Sequence, residues 1–258
     1  MTLPLGVQET FKPSFHMMDF FKKRPKPLDR NGSVSRPPLD LKAPIRQVRY
    51  AVIDTELTGL NERKDSIVSL GALHLIEGRI DLGYSFYRLL KPRTALRSDG
   101  ILIHEITPSE VAEEPEIDQV LRDFLSFCDH CVLVGHCLSI DLNFINMEVK
   151  RLLGAHLTNP ALDTLMLYRW LRTRWPLEAC FAAAPESLDL YGIARGFGIS
   201  AVGAHNAVMD AFITAQLFQQ FLSWLEKTGI KDLEELLRVG DPIKGGDPFQ
   251  IPLDLANL

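Results

Sequence analysis

Apolar and polar positions along this chain follow two different periods. Residues 47–56 (QVRYAVIDTE) and 66–75 (SIVSLGALHL) are short, mainly apolar runs, and they predict buried strands. A Glu77-Gly78 turn leads into a third strand at 83–90 (GYSFYRLL). Connections this tight favour antiparallel neighbours. The period then lengthens. Ile117, Val120, Leu121, Phe124, Leu125 and Cys128 recur at helical spacing, which predicts an amphipathic helix over 116–128. A short apolar strand at 131–135 (CVLVG) precedes helices at 139–153 and 163–172. A helix at 187–196 stops at Gly196 and Gly198, and a long helix runs from about 206 to 226. Strands first, then strands alternating with helices, predict an α/β domain with a mixed central sheet.

The 258 residues suffice for one large domain or two small ones. No apolar run approaches the ~18 residues that span a bilayer, so no membrane association is expected. The N-terminus lacks the layout of a signal peptide. Four cysteines in a chain of this length are not a disulfide scaffold, which points to the cytoplasm. A net charge of −5 and a pI near 5.8 exclude a globally basic nucleic-acid coat protein. The charge is uneven, however. Residues 21–50 hold nine Lys and Arg against Asp29 and Asp40, and seven of the sixteen prolines fall in the first 45 residues. Residues 1–46 therefore read as a basic, proline-rich arm, with the folded domain over 47–240 and a tail over 241–258. Such an arm either tracks a phosphate backbone or keeps the chain soluble, and both readings stand.

The acidic residues carry the chemistry. Asp54 and Glu56, two apart at the end of the first strand, present both carboxylates to one face with Cα atoms roughly 6.6 Å apart, although taken alone a solvated strand end is the plainer reading. Asp141 falls in the first turn of helix 139–153, on the edge of its core-facing side, where an ordinary helix-dipole acid is the plainer reading. Asp210 shares an inward flank of the long helix with Leu217, Phe218 and Phe221. His205 lies five residues earlier, roughly 140° away on a regular helix. The two meet only if His205 precedes the helix, where Gly203 allows a bend. Four carboxylates on the inward edges of three elements repel one another and raise their own pKa values. Divalent cations relieve that repulsion, and oxygen ligands select hard ions such as Mg²⁺ or Mn²⁺. Two such ions ~3.5 to 4 Å apart form the clamp used for in-line attack at phosphate, with a histidine to accept the proton of the attacking water.

Three ordered motifs resemble the DEDD superfamily of 3′→5′ exonucleases, in its histidine branch (DnaQ-like), to which the epsilon proofreading subunit of bacterial DNA polymerase III belongs. They are Asp54-Thr-Glu-Leu-Thr-Gly-Leu60, Val134-Gly-His-Cys-Leu-Ser-Ile-Asp141 and His205-Asn-Ala-Val-Met-Asp210, with softer marks at Ile103-His-Glu-Ile-Thr107 and Leu162-Asp-Thr164. The resemblance covers roughly 49–226 and implies a ribonuclease H-like fold: a mixed five-stranded sheet flanked by helices. It implies two Mg²⁺ or Mn²⁺ ions held by Asp54, Glu56, Asp141 and Asp210, with His205 as general base, and release of nucleoside 5′-monophosphates from single-stranded DNA or RNA 3′ ends. Thr58, Leu60 and His104 fall where the family contacts the terminal nucleotide. Asp163 reads as a helix N-cap. The motifs depart from the family twice. Cys137 stands where asparagine is usual, and Leu57 replaces one of two threonines; neither removes a ligand.

Cys128 and Cys131 invite a zinc reading, but one completes a helical stripe and the other opens a strand, as core cysteines do. Gln250-Ile-Pro-Leu-Asp-Leu255 resembles the short peptides by which bacterial replication proteins grip the sliding clamp, which implies the clamp as a partner. The leading expectation is a metal-dependent DNA 3′→5′ exonuclease acting in proofreading, repair or end trimming. Its rivals are an exoribonuclease of the ribonuclease T or oligoribonuclease type and a non-catalytic nucleic-acid or clamp-binding module.

Overall fold

The structure, a computed structural model, describes residues 39–182, 188–203 and 205–242; the Gln250–Leu255 peptide and residues 1–38 of the arm lie outside them. Five strands form one sheet: β1 (Tyr50–Leu57), β2 (Ile67–Ile76), β3 (Arg79–Leu89), β4 (Val132–Gly135) and β5 (Ala161–Asp163), in the order β3-β2-β1-β4-β5. β1 to β3 pair antiparallel and β4 and β5 run parallel to β1, so the sheet is mixed as expected. β3 begins at Arg79, four residues before the expected start. Glu77 and Gly78 both have positive φ (51° and 70°), a turn whose twist lets Ile76 pair directly with Arg79. β5 was not expected from its own pattern, since three residues are too few to show a period.

The helices are α1 (Ser98–His104), α2 (Pro108–Val111), α3 (Ile117–Phe127), α4 (Ser139–Leu153), α5 (Thr164–Arg172), α6 (Ala179–Ala182), α7 (Leu190–Gly196), α8 (Ala207–Lys227) and α9 (Leu233–Gly240). α3, α4, α5 and α8 sit where the spacing predicts them. α1, α2, α6 and α9 are short, four to eight residues, and were not predicted. Successive residues of β1 feed opposite layers, the consequence of strand period two. Tyr50 and Val52 join α5, α8 and α9 in one core, while Ala51 and Ile53 join α3 and α4 in the other. Cys128 and Cys131 lie inside the second core.

The chain upstream of Gln47 is tied to the far end of the domain. Ile45 is 1% exposed, its amide donates to the Lys231 carbonyl (3.1 Å), and Leu233 N–H donates to the Ala43 carbonyl (3.1 Å). Lys42 pairs with Asp232 (3.2 Å) and Arg46 with Glu226 (2.8 Å). Two of the nine cations assigned to the basic arm are thus used on the fold itself. Among the described residues, no helix is long and apolar enough to cross a membrane.

Candidate active site

The site forms at the C-terminal end of β1, the central strand, where α4 and α8 begin. β1 delivers Asp54 and Glu56, and a bulge between Glu56 and Leu57 then turns the chain away. Asp141 enters from the first turn of α4 and Asp210 from the first turn of α8. Carboxylate oxygens of Asp54, Glu56 and Asp210 all lie within 4.8 Å of one another. Asp141 stands beside this trio, with its Oδ1 accepting the Thr55 hydroxyl (2.6 Å), and its charge is the largest charge influence on Asp54.

His205 precedes the helix, as the five-residue spacing requires. It has φ 64°, two residues after Gly203 at φ 80°, and Asn206 caps α8. Its backbone amide donates to Asp210 Oδ2 (3.0 Å). The Tyr191 hydroxyl donates to the same oxygen (2.7 Å) and lies 3.3 Å from His205 Nδ1. Asp210 Oδ1 is buried with no protein partner.

Burial dominates the electrostatics. It pushes the Asp54 carboxyl well above its usual range, with repulsion from Asp141, Asp210 and Glu56 adding to it. Glu56 rises to about 8 by burial and by the charges of Asp210 and Asp141. Asp141 rises to about 7 and Asp210 to about 6, again by burial, although the hydrogen bonds from Thr55 and Tyr191 pull the other way. A buried acid with an unpartnered oxygen, facing two other acids, suits a hard divalent cation.

The sequence profile of an exonuclease family, of ribonuclease T type, matches residues 51–218 and so spans all of these acids. The chain belongs to this exonuclease family. The PolC-type DNA polymerase III of Thermotoga petrophila is 27% identical over 232 residues, 90% of this chain and 16% of the relative. That of Staphylococcus aureus is 27% identical over 216 residues, 83% of this chain and 14% of the relative. The chain thus spans about one-sixth of the length of the curated relatives it matches. Among solved structures, E. coli exonuclease I in its complex with single-stranded DNA superposes with a TM-score of 0.61 at 18% identity, over 70% of this chain and 43% of that one. Exonuclease X in complex with 5′-overhanging duplex DNA superposes at 0.54 and 22%, over 74% and 98%. These likenesses establish the ribonuclease H-like fold.

Within the exonuclease domain, a cavity of about 480 Å³ opens over Asp54, Glu56 and Asp141, with Leu60 and His104 also on its walls. Leu60 stands at its rim, 63% exposed. His104 is buried. Its Nδ1 accepts the Ile106 amide (3.0 Å), which places the proton on Nε2, and that nitrogen is buried without a protein partner. Thr58 lines the cavity too, but its hydroxyl is already engaged: it accepts the Ser66 amide (2.9 Å) and donates to Asp65 (3.1 Å), shaping the 58–66 loop.

Both departures from the family motifs have a local account. Leu57 follows the bulge and packs half-buried against the α3–α4 core. Cys137 has φ 54°, the left-handed region that favours asparagine and glycine, and burial pushes its thiol up to about 12. Asp163 caps α5 through the Leu165 amide (2.8 Å), as its position predicts. It also accepts the amides of Cys137 (3.2 Å) and Leu138 (2.9 Å), which fixes the entry to α4 ahead of Asp141. Two neighbours of the acids, Thr55 and Tyr191, were not foreseen. Thr55 lay inside the first motif as an apparent spacer, and Tyr191, 19 residues from Asp210, left no spacing signal.

Proposed function

We propose that this domain is a metal-dependent 3′→5′ exonuclease that removes nucleoside 5′-monophosphates from DNA 3′ ends. The observation that carries the reading is the convergence of Asp54, Glu56 and Asp210 within 4.8 Å, with Asp54 and Glu56 lining an open cavity and a buried Asp210 oxygen left unpartnered. In this reading Asp54, Glu56, Asp141 and Asp210 would hold two Mg²⁺ or Mn²⁺ ions, which when bound supply neutralisation of the phosphate charge. His205 would accept the proton of the attacking water, because its imidazole sits exposed at the edge of the acid cluster. The Nε2–H of His104 is a donor for the terminal nucleotide, and Leu60 an apolar contact for its base or sugar. In Thr58 only the loop position, not a free hydroxyl donor, favours substrate contact.

DNA is favoured over RNA by the PolC-type relatives and by exonuclease I, solved in complex with a dT13 oligonucleotide. The same relatives support a polymerase-associated role in proofreading or repair. In this reading residues 47–240, with the docked segment just before them, are the catalytic unit between a basic arm and a tail. A clamp contact through Gln250–Leu255 belongs to the same replicative reading. The test is a gel assay with 3′- and 5′-labelled single-stranded DNA and RNA, in Mg²⁺, Mn²⁺ and EDTA, with Asp54→Ala as control. The expected result is a metal-dependent ladder shortening from the 3′ end of DNA and absent in the variant. Faster trimming of RNA would favour the exoribonuclease reading, and no cleavage of any substrate would favour a binding module.

A further inference from the structure

We propose that Tyr191 is a positioning residue for this site, its one hydroxyl both aiming Asp210 at the acid cluster and holding His205 in the tautomer that leaves Nε2 free. The inference rests on the reading of His205 as general base. Its grounds are the hydrogen-bond accounting around a single oxygen. A phenolic hydroxyl offers one proton and two lone pairs. The proton goes to Asp210 Oδ2, because that contact is the shortest (2.7 Å) and its acceptor is a carboxylate. Turning the proton to His205 Nδ1 instead would leave two oxygens facing each other lone pair to lone pair at 2.7 Å. One lone pair accepts the His205 backbone amide (2.9 Å), which it shares with Asp210 Oδ2. The other faces His205 Nδ1 at 3.3 Å, and with the hydroxyl proton already committed, only a protonated Nδ1 makes a bond there.

Two consequences follow for the residues it touches. Asp210 Oδ2 is saturated by Tyr191 and by the His205 amide, so Oδ1 is the oxygen left for a ligand, and it is the one found buried without a partner. His205 carries its proton on Nδ1, the reverse of the preference of an imidazole free in water, and keeps the Nε2 lone pair for a proton acceptor's role. The rings also meet edge to face, with centroids 4.9 Å apart at 77°, which limits rotation of the imidazole. Tyr191 itself is held rigidly. Asp189 caps α7 through the Gly192 amide (2.6 Å), and Leu190, Ile193 and Ala194 are buried in the core shared with α8.

The test is Tyr191→Phe in the full chain, which keeps the ring and removes only the hydroxyl. Three readouts apply: ¹⁵N NMR of the His205 side chain with the imidazole neutral, the Mn²⁺ concentration that gives half the maximal thermal shift, and the split of kcat from KM. In the parent chain, Nδ1 is expected to be the protonated nitrogen; a proton found on Nε2 overturns the proposal without any variant. In Tyr191→Phe, Nε2 gains proton occupancy, the Mn²⁺ midpoint rises, and kcat falls about 10- to 100-fold while KM for the oligonucleotide stays nearly constant. An unchanged tautomer together with an unchanged Mn²⁺ midpoint overturns it. If the parent chain cleaves nothing, the proposed function fails, while the NMR and Mn²⁺ readouts still decide the role of Tyr191.

Discussion

Gly71 on β2 lies against the first residue of α8, Ala207, so closely that a Cβ at position 71 would stand 2.2 Å from the Ala207 carbonyl carbon. Gly71 is also the cross-strand partner of Asp54. The absence of one side chain therefore lets the helix that carries Asp210 settle onto the strand pair that carries Asp54 and Glu56.

Gly71→Ala is expected to push the start of α8 off the sheet. Overpacking of this kind costs about 1–3 kcal/mol, and displacement of Asp210 by about 1 Å should lower kcat/KM by about 100-fold. Thermal melting and steady-state cleavage check both; a variant with the parent's melting temperature and activity contradicts the close packing.

The acid cluster should make the metal-free protein less stable as pH rises. Glu56, Asp141 and Asp210 have folded-state pKa values raised to about 8, 7 and 6, above those of the unfolded chain. Between its two values each carboxyl binds more proton in the folded chain than in the unfolded one, so stability falls with pH. Their contribution is complete below about pH 4 and is lost as pH passes through the folded-state values. Melting in EDTA should occur at a lower temperature near about pH 9 than near about pH 5, and millimolar Mg²⁺ should offset the loss. A melting temperature in EDTA that rises over this range would exclude the mutual burial of these acids.

Cys137→Asn should stabilise the domain. The residue at 137 has φ 54°, where asparagine is tolerated better than cysteine, and the gain is up to about 1 kcal/mol. Denaturant melts read it. The native thiol, pushed up to about 12, should alkylate slowly at neutral pH in the folded chain and rapidly once unfolded.

Deleting residues 1–45 should lower the melting temperature further than deleting 1–38, because Ile45 is buried and residues 43–45 hydrogen-bond to the chain around 231–233. The shorter deletion removes Lys12, Lys22, Lys23, Arg24, Lys26, Arg30 and Arg36. Binding of single-stranded DNA by the truncated chain is expected to weaken and to lose part of its salt dependence. Binding equal to the parent at every salt concentration would assign the arm to solubility.

The sequence by itself determined the elements long enough to show a period: β1, β2, α3, α4, α5 and α8 all appear where apolar spacing puts them. It also determined which way the acids face, because Asp54 and Glu56, two apart, share one face of a strand and Asp210 lies on the inward flank of its helix. The angle that five residues subtend set a condition, that His205 meets Asp210 only from at or before the start of α8, and the structure meets it. What spacing cannot carry is contact between residues distant along the chain. Tyr191 meets Asp210, Thr55 meets Asp141 and Gly71 meets Ala207 only because the sheet order β3-β2-β1-β4-β5 brings their elements together. The three-residue β5, the short helices and the docking of residues 43–45 beside α9 were decided in the same way, by burial against a finished core rather than by any pattern of their own.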